Sequence, residues 1–377
     1  MLDLLRCALP EPDPTGILDR PFLQEAAARA LDAAREQPYS AGAALSRWFR
    51  QDRRLGGKTR RKVSEAVYGI IRHEAILRRA GAQTDAELVE GFSAVLSGDR
   101  LTALASEGPV ADYATALSLP QSIAGEWLDR LGEDDAAALA AALAGRAPTV
   151  LRANAARTTA SALVKELAQE GVSSREGNVP GSVVLTQRAN LVGLRAFRAG
   201  LFEVQDEASQ RLCAALPLHA GQSVVDLCAG AGGKSLALAA RGGKVTAADV
   251  RPRALAELRK RAKRAGVKIR IGPPRAADVV LVDAPCSGTG RLRREPALRW
   301  RLEELDLTET LALQQRLLQQ GAGLVRPGGV LVYATCSLLS AENSHAAPPG
   351  FVRDGRQTLW PHTDHTDGFH WTIWRRT

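Results

Sequence analysis

The chain has 377 residues, 45% hydrophobic and 24% charged, enough for two or three domains and for a large core without disulfide support. Its net charge of +9 and pI near 9.7 point to an acidic partner, with nucleic acid the leading candidate. The five cysteines (Cys7, Cys213, Cys228, Cys286 and Cys336) are odd in number and lack C-x-x-C spacing, which argues against a disulfide framework and for a reducing compartment. Met1–Arg6 has charges inside its apolar run, unlike a signal peptide, and the small-apolar run Ala136–Gly145 is too short to span a bilayer. A cytoplasmic chain without a membrane partner is expected.

Residues 1–20, with Pro10, Pro12, Pro14 and Gly16, predict an extended lead-in. From Pro21 to about Gly145 apolar residues recur at i, i+3, i+4 and i+7, as in Glu25–Asp32 and Val63–Ile70, and predict helices throughout. Arg47–Arg79 carries eleven Lys or Arg against Asp52, Glu65 and Glu74, with Trp48, Phe49 and Tyr68 between them. Such a mixture suits phosphates plus base stacking. After Pro148 the texture changes to strand (Thr149–Asn154), helix (Thr158–Glu170) and strand (Ser182–Leu185). The expected domains are therefore a helical one over 1–145, a small α+β one over 146–200 and an α/β one over 201–377.

The third part alternates strands and helices, as a parallel sheet requires. Strands are predicted at Ser223–Leu227, Lys244–Val250, Lys268–Ile271, Asp278–Asp283 and Gly329–Ala334. Helices are predicted at Ser235–Ala240, Pro252–Ala265 and Thr308–Leu324. Loops after the strand C-termini form the site in such sheets. That rule gathers Asp226–Lys234, Asp249, Asp283–Gly288 and Thr335–Ser337 at one edge.

The glycine turn Cys228-Ala-Gly-Ala-Gly-Gly-Lys234 admits more than one ligand. Gly230, Gly232 and Gly233 let a ligand approach the backbone, and the next helix offers unpaired N–H groups. A phosphate-binding P-loop fails by one residue, since Cys228 stands where its first glycine belongs, and a dinucleotide fingerprint fails at Ser235. A methyl-donor loop fits Asp226-x-Cys228-x-Gly230-x-Gly232, with Asp249 as the acid for ribose hydroxyls. The loop alone leaves the methyl donor and an NTPase both open. Two cysteines reach the same edge, in Asp283-Ala-Pro-Cys-Ser-Gly-Thr-Gly290 and in Tyr333-Ala-Thr-Cys-Ser337. Pyrimidine C5 is a poor nucleophile; a thiolate adding to C6 makes it a good one, which is covalent catalysis. The thiol must ionise, and nearby helix N-termini and cations favour that.

These motifs, with Glu342-Asn343 and Val204-Gln-Asp-Glu-Ala-Ser209, resemble the Sun/Fmu family of RNA 5-methylcytosine methyltransferases. The layout is similar to the family's bacterial ribosomal RNA members. The resemblance implies a Rossmann-like class I methyltransferase domain behind an all-helical NusB-like domain and a small α+β domain. It implies S-adenosyl-L-methionine as cofactor and RNA, ribosomal RNA first, as partner. It places Cys336 as the nucleophile, Cys286 as the residue aiding product release and Asp283 beside the base and the donor. Cys228, Ala229, Gly230, Ala231, Gly232, Gly233 and Lys234 would form the donor loop, and Asp249 would hold the ribose. The chain departs from the family pattern at Gly230-Ala231, in the short segment between Gly266 and Asp283 without a strand-3 acid, and in the tail after Asn343. These departures keep a second reading in view, an RNA-binding protein with a decayed methyltransferase domain; transfer RNA is an alternative substrate. Arg251–Arg275 has ten basic residues against Glu257, and a solvated helix face is expected there. Arg291–Arg301 has five Arg against Glu295, with Trp300 among them, and is expected to hold phosphates beside the target base. His362, His365 and His370 fit no standard metal spacing, so no metal is expected. The oligomeric state is not legible.

Overall fold

The computed structural model describes residues 17–37, 41–52, 54–97 and 108–377. The expected lead-in up to residue 16, with Cys7, and Arg53 lie outside the described residues. The chain forms two compact units: Met1–Arg146 with Arg291–Asp306, and Ala147–Gly290 with Leu307–Thr377.

The described part of the first unit is helical: Pro21–Arg35, Ala41–Gln51, Gly57–Arg79, Asp85–Leu96, Pro109–Leu117 and Gln121–Ala144, joined by the short helix Leu298–Leu302. Alanine spacing makes the first helix a close-packing face, with Ala27, Ala30, Leu31 and Ala34 wholly buried. Thr84 and Glu87 form a capping box that starts Asp85–Leu96. Gly69 sits inside a helix because a Cβ there would lie 2.3 Å from the Phe92 ring. The aromatics expected to stack on RNA serve this core: Phe49 is buried, and Trp48 and Tyr68 pack against the same cluster. The basic run Arg291–Arg301 is likewise turned inward in part. Arg299 is buried and donates to the carbonyls of Leu117 (2.8 Å) and Leu292 (3.1 Å). The Trp300 indole N–H donates to Glu74 at 2.7 Å, with the Arg35 guanidinium over its ring. These two side chains are structural, contrary to the expectation that the run holds phosphates.

The second unit has two sheets. Strands β1 (Val150–Ala153), β2 (Ser174–Glu176), β3 (Ser182–Leu185) and β4 (Phe202–Val204) make an antiparallel sheet of order β2-β3-β1-β4. The second sheet contains β5 (Ser223–Asp226), β6 (Lys244–Ala247), β7 (Arg270–Ile271), β8 (Ala277–Asp283), β9 (Val325–Thr335), β10 (Phe351–Leu359) and β11 (Phe369–Arg376), in the order β10-β11-β9-β8-β5-β6-β7. Strands β5 to β9 pair in parallel, and β11 and β10 close one side antiparallel. The interior strands are Val- and Leu-rich, as burial on both faces demands. From β5 the chain runs outward to β6 and β7, then returns to β8 and β9 on the other side. This Rossmann-like switch point opens a crevice at the C-terminal ends of β5 and β8.

The two sheets are tied within the unit. Asn154 donates to the carbonyls of Gly200 (2.9 Å) and Ala265 (2.8 Å). Glu203 pairs with Arg261 at 2.9 Å and Arg264 at 2.5 Å, so part of the basic helix Pro252–Ala265 is an internal anchor. The predicted strands and helices recur with shifted ends, β6 stopping at Ala247 and β9 starting at Val325. The abbreviated tail is a hairpin: β10, absent from the sequence expectation, is an exposed edge strand of polar residues. Among the described residues no helix is long and apolar enough to cross a membrane.

Candidate active site

The glycine turn departs from β5 at Asp226 and is stitched to its neighbours by Leu227 N–H on the Leu281 carbonyl (3.0 Å) and Ala229 N–H on the Ala248 carbonyl (2.9 Å). Gly230 and Gly232 adopt positive φ, 54° and 86°. At Gly232 a Cβ would also stand 2.6 Å from the Leu258 side chain, so glycine is required twice over. The helix Gly233–Ala240 starts without a side-chain cap, leaving its first N–H groups directed at the crevice. Arg261 holds the Ala231 carbonyl at 2.8 Å and fixes the back of the turn.

Four charged residues gather under this turn. Asp226 is buried, and one oxygen accepts from the Ser235 hydroxyl at 2.6 Å while the other has no partner. Burial pushes its carboxyl up to about 6, against the opposing pull of Ser235. Lys234 lies 2.6 Å from Asp283 and over the Phe369 ring. Burial pulls its ammonium down, but the Asp283 charge and hydrogen bond raise it further, so it stays cationic. Asp249 is not open: its carboxylate accepts from Gly230 N–H (2.7 Å), Arg251 N–H (2.8 Å) and the Arg251 guanidinium (3.0 Å). Only 4% of the Asp249 side chain is exposed, against 68% for Arg251. The ribose-binding acid implied by the resemblance is thus covered by its own neighbour.

Strands β8 and β9 pair in register, Asp283 opposite Ala334, and their following loops run side by side. Gly290 N–H donates to the Cys336 carbonyl at 2.9 Å. The two sulfurs, Cys286 Sγ and Cys336 Sγ, stand 3.4 Å apart. The hydrogen bond to Cys336, then burial, push the Cys286 thiol well above its ordinary value. Cys228 and Cys213 are elsewhere in chemistry: burial pushes them up to about 12 and about 11, which leaves inert thiols.

Beneath the sulfurs lies a buried polar clasp. Glu342, wholly buried, accepts from Ser287 N–H (2.9 Å), the Ser287 hydroxyl (2.5 Å) and the Gln314 amide (3.0 Å). Ser287 also meets the Ser337 hydroxyl at 3.1 Å, and Thr289 accepts from Leu338 N–H at 2.9 Å. Asn343 bridges Thr335 (2.6 Å) and the Ser337 carbonyl (2.9 Å). Glu342 and Asn343 stood in the motif quoted above without a role; Gln314, Thr289 and Gly368 were not singled out. Gly368 N–H donates to the Gly290 carbonyl at 2.8 Å, and a Cβ on Gly290 would lie 2.0 Å from the Gly368 carbonyl oxygen. A glutamine in an amphipathic helix or a glycine before a terminal strand carries no local signal of such contacts.

Residues 213–350 match the family model described as 16S rRNA methyltransferase RsmB/F, and residues 119–191 match the RsmF/B-like ferredoxin-like domain. Both matches are to models of the RsmB/F, or Sun, family. It is 29% identical over 303 residues, 70% of this chain and 68% of the other, to a protein named probable ribosomal RNA small subunit methyltransferase B from Bacillus subtilis. To the ribosomal RNA small subunit methyltransferase B of Xanthomonas campestris it is 36% identical over 226 residues, 56% of this chain and 52% of that one. The chain thus spans between about half and two thirds of these relatives. In fold it is similar to the crystal structure of PH0851, with a TM-score of 0.75 and 23% identity over 94% of this chain and 99% of that chain.

Proposed function

We propose that the chain methylates cytosine C5 in RNA, small-subunit ribosomal RNA first, with S-adenosyl-L-methionine as donor and Cys336 as nucleophile. The observation that carries this reading is the pair of sulfurs 3.4 Å apart on loops that border the Lys234–Asp283 pair. The residues of the glycine turn suit the donor: two positive-φ glycines, a helix start with unpaired N–H groups, and an orphaned oxygen on buried Asp226 that a cationic ligand would satisfy. When bound, the donor supplies an electrophilic methyl group on a sulfonium.

The chain's own residues do the rest. Lys234 is a fixed cation whose charge Cys336 feels, and it favours the thiolate. Cys336 Sγ bonds to C6 of the base, and the C5–C6 double-bond electrons make C5 nucleophilic. Asp283, oriented by Lys234, interacts at N3 as the ring's charge changes. After methyl transfer Cys286 gives its proton to the departing Cys336 sulfur and takes the C5 proton in its place, as the Cys336–C6 bond breaks and the C5–C6 double bond returns. The helical unit, with exposed Arg47, Arg50, Lys58 and Arg61, is assigned to RNA binding.

Cys286→Ala is expected to accumulate a protein–RNA covalent adduct with ribosomal RNA, and Cys336→Ala to form none and transfer no methyl. Bisulfite sequencing of RNA from cells with and without the protein locates the cytosine. Absence of both adduct and methyl transfer refutes the reading. The coverage of Asp249 by Arg251 favours one second reading, an RNA-binding protein whose donor site is closed. Calorimetry with S-adenosylmethionine separates the two, since a closed site takes up no donor.

A further inference from the structure

Away from the cysteines the second unit carries a groove of about 590 Å³ between the helix Pro252–Ala265 and strands β6 and β7. Five of its lining residues are cations, Lys244, Arg259, Lys263, Lys268 and Arg270, and none is an acid. All five are exposed. The helix divides its charges by face. Arg261 and Arg264 turn to Glu203, which offsets one of their two charges, and Lys260 faces Glu257. Arg259 and Lys263, one turn apart, fall on the groove wall instead. Leu258, Ala262 and Ile269 line the groove between the cations.

The groove lies at the edge of the sheet: β7 is a two-residue edge strand, and only residues 272–276 link it to β8. Like charges held together without a counter-charge cost free energy, which a polyanion removes by releasing its own counterions.

We propose that this groove binds the phosphate backbone of the RNA substrate, an anchor separate from the catalytic crevice; the inference rests on the RNA-methyltransferase reading above. The apolar strip between the cations suits ribose and base faces better than a small anion.

The test uses the full chain with Arg259→Gln, Lys263→Gln and Lys268→Gln combined, against a control of equal charge loss, Arg175→Gln, Arg316→Gln and Arg353→Gln. Affinity for a ribosomal RNA fragment is measured across a salt series, with single-turnover methyl transfer at saturating RNA. The groove variant is expected to bind roughly tenfold or more weakly, to lose about two to three from the slope of log affinity against log salt, and to keep its single-turnover rate. A groove variant that matches the control in affinity and slope overturns the proposal while leaving the catalytic reading intact. A parent chain that forms no adduct and transfers no methyl overturns the catalytic reading instead. If anionic vesicles, and not RNA, lose binding in the groove variant, the surface serves a membrane and the proposal fails.

Discussion

Glu342→Ala tests whether the buried clasp sets the distance between the two sulfurs. The carboxylate accepts three hydrogen bonds from Ser287 and Gln314, and its oxygens are sealed from water. Two of the donors have other partners: Gln314 also donates to the Pro285 carbonyl at 2.9 Å, and the Ser287 hydroxyl reaches Ser337. Ser287 N–H has none among the described residues once the carboxylate is gone. Its orphaning costs about 1–3 kcal/mol. The emptied volume adds a further roughly 1–2 kcal/mol, and relief from burying a charge offsets part of this. The net expectation is a loss of about 3 kcal/mol, read by urea unfolding. Glu342→Gln keeps the shape and one acceptor for Ser287 N–H, and should cost about 1 kcal/mol. The clasp also holds the loop of Cys286 against that of Cys336. Diamide, which removes one hydrogen from each thiol to leave a disulfide, should therefore cross-link the parent readily and Glu342→Ala at least about tenfold more slowly. Methyl transfer should fall through kcat more than through KM for RNA. An alanine variant that unfolds with the parent and cross-links at the parent's rate would refute the role given to Glu342.

Asp226→Asn should change the pH dependence of stability. The folded carboxyl sits at about 6 and the unfolded one at its ordinary 3.8, so folding takes up a proton. The group favours folding fully below pH 3.8, and that contribution fades as pH rises through 6; a shift of two units is worth about 3 kcal/mol. The asparagine variant should gain up to this amount relative to the parent between pH 4 and pH 7, in paired unfolding titrations, and a pH-independent difference would count against it. Lys234→Met should slow iodoacetamide labelling of Cys336 at neutral pH and move its midpoint up by about one unit, followed by peptide mass spectrometry; an unchanged profile would remove Lys234 from thiolate control. Arg299→Met should destabilise the helical unit by about 2 kcal/mol, by stranding the carbonyls of Leu117 and Leu292, and leave the salt slope of RNA binding unchanged. A changed slope with unchanged stability would restore the phosphate-binding role.

The parallel sheet was legible because its strands are short apolar runs bounded by turn chemistry, and both thiol loops follow from the rule that sites gather at strand C-termini. What stayed hidden depends on distant pairings. The arginines after Gly290 look like an RNA surface because charge is visible locally, whereas the Leu117 carbonyl that takes up Arg299 lies 182 residues away. Trp48, Phe49 and Tyr68 interleave with cations on the string, yet a helix sends every third or fourth residue inward; Phe49 holds such a position, and Trp48 and Tyr68 pack half-buried against the same core. Strand β10 escaped because an edge strand needs neither apolar alternation nor burial; its partner β11 supplies the ladder. Asp249 was found, but not Arg251 upon it, since a contact two residues long has no sequence signature beyond adjacency.

The roles of the two sulfurs can be told apart by where a proton can go. Two thiolates at 3.4 Å would repel each other, so only one of the pair ionises at a time. Cys286 faces the buried Glu342 charge as well as its neighbour, and both disfavour its anion. Lys234, held by Asp283, adds a positive charge that Cys336 feels. In the proposed reaction the charge belongs on Cys336, the sulfur that interacts with the Lys234 cation, and the Cys286 thiol 3.4 Å away would exchange a proton when the sulfur–carbon bond must break.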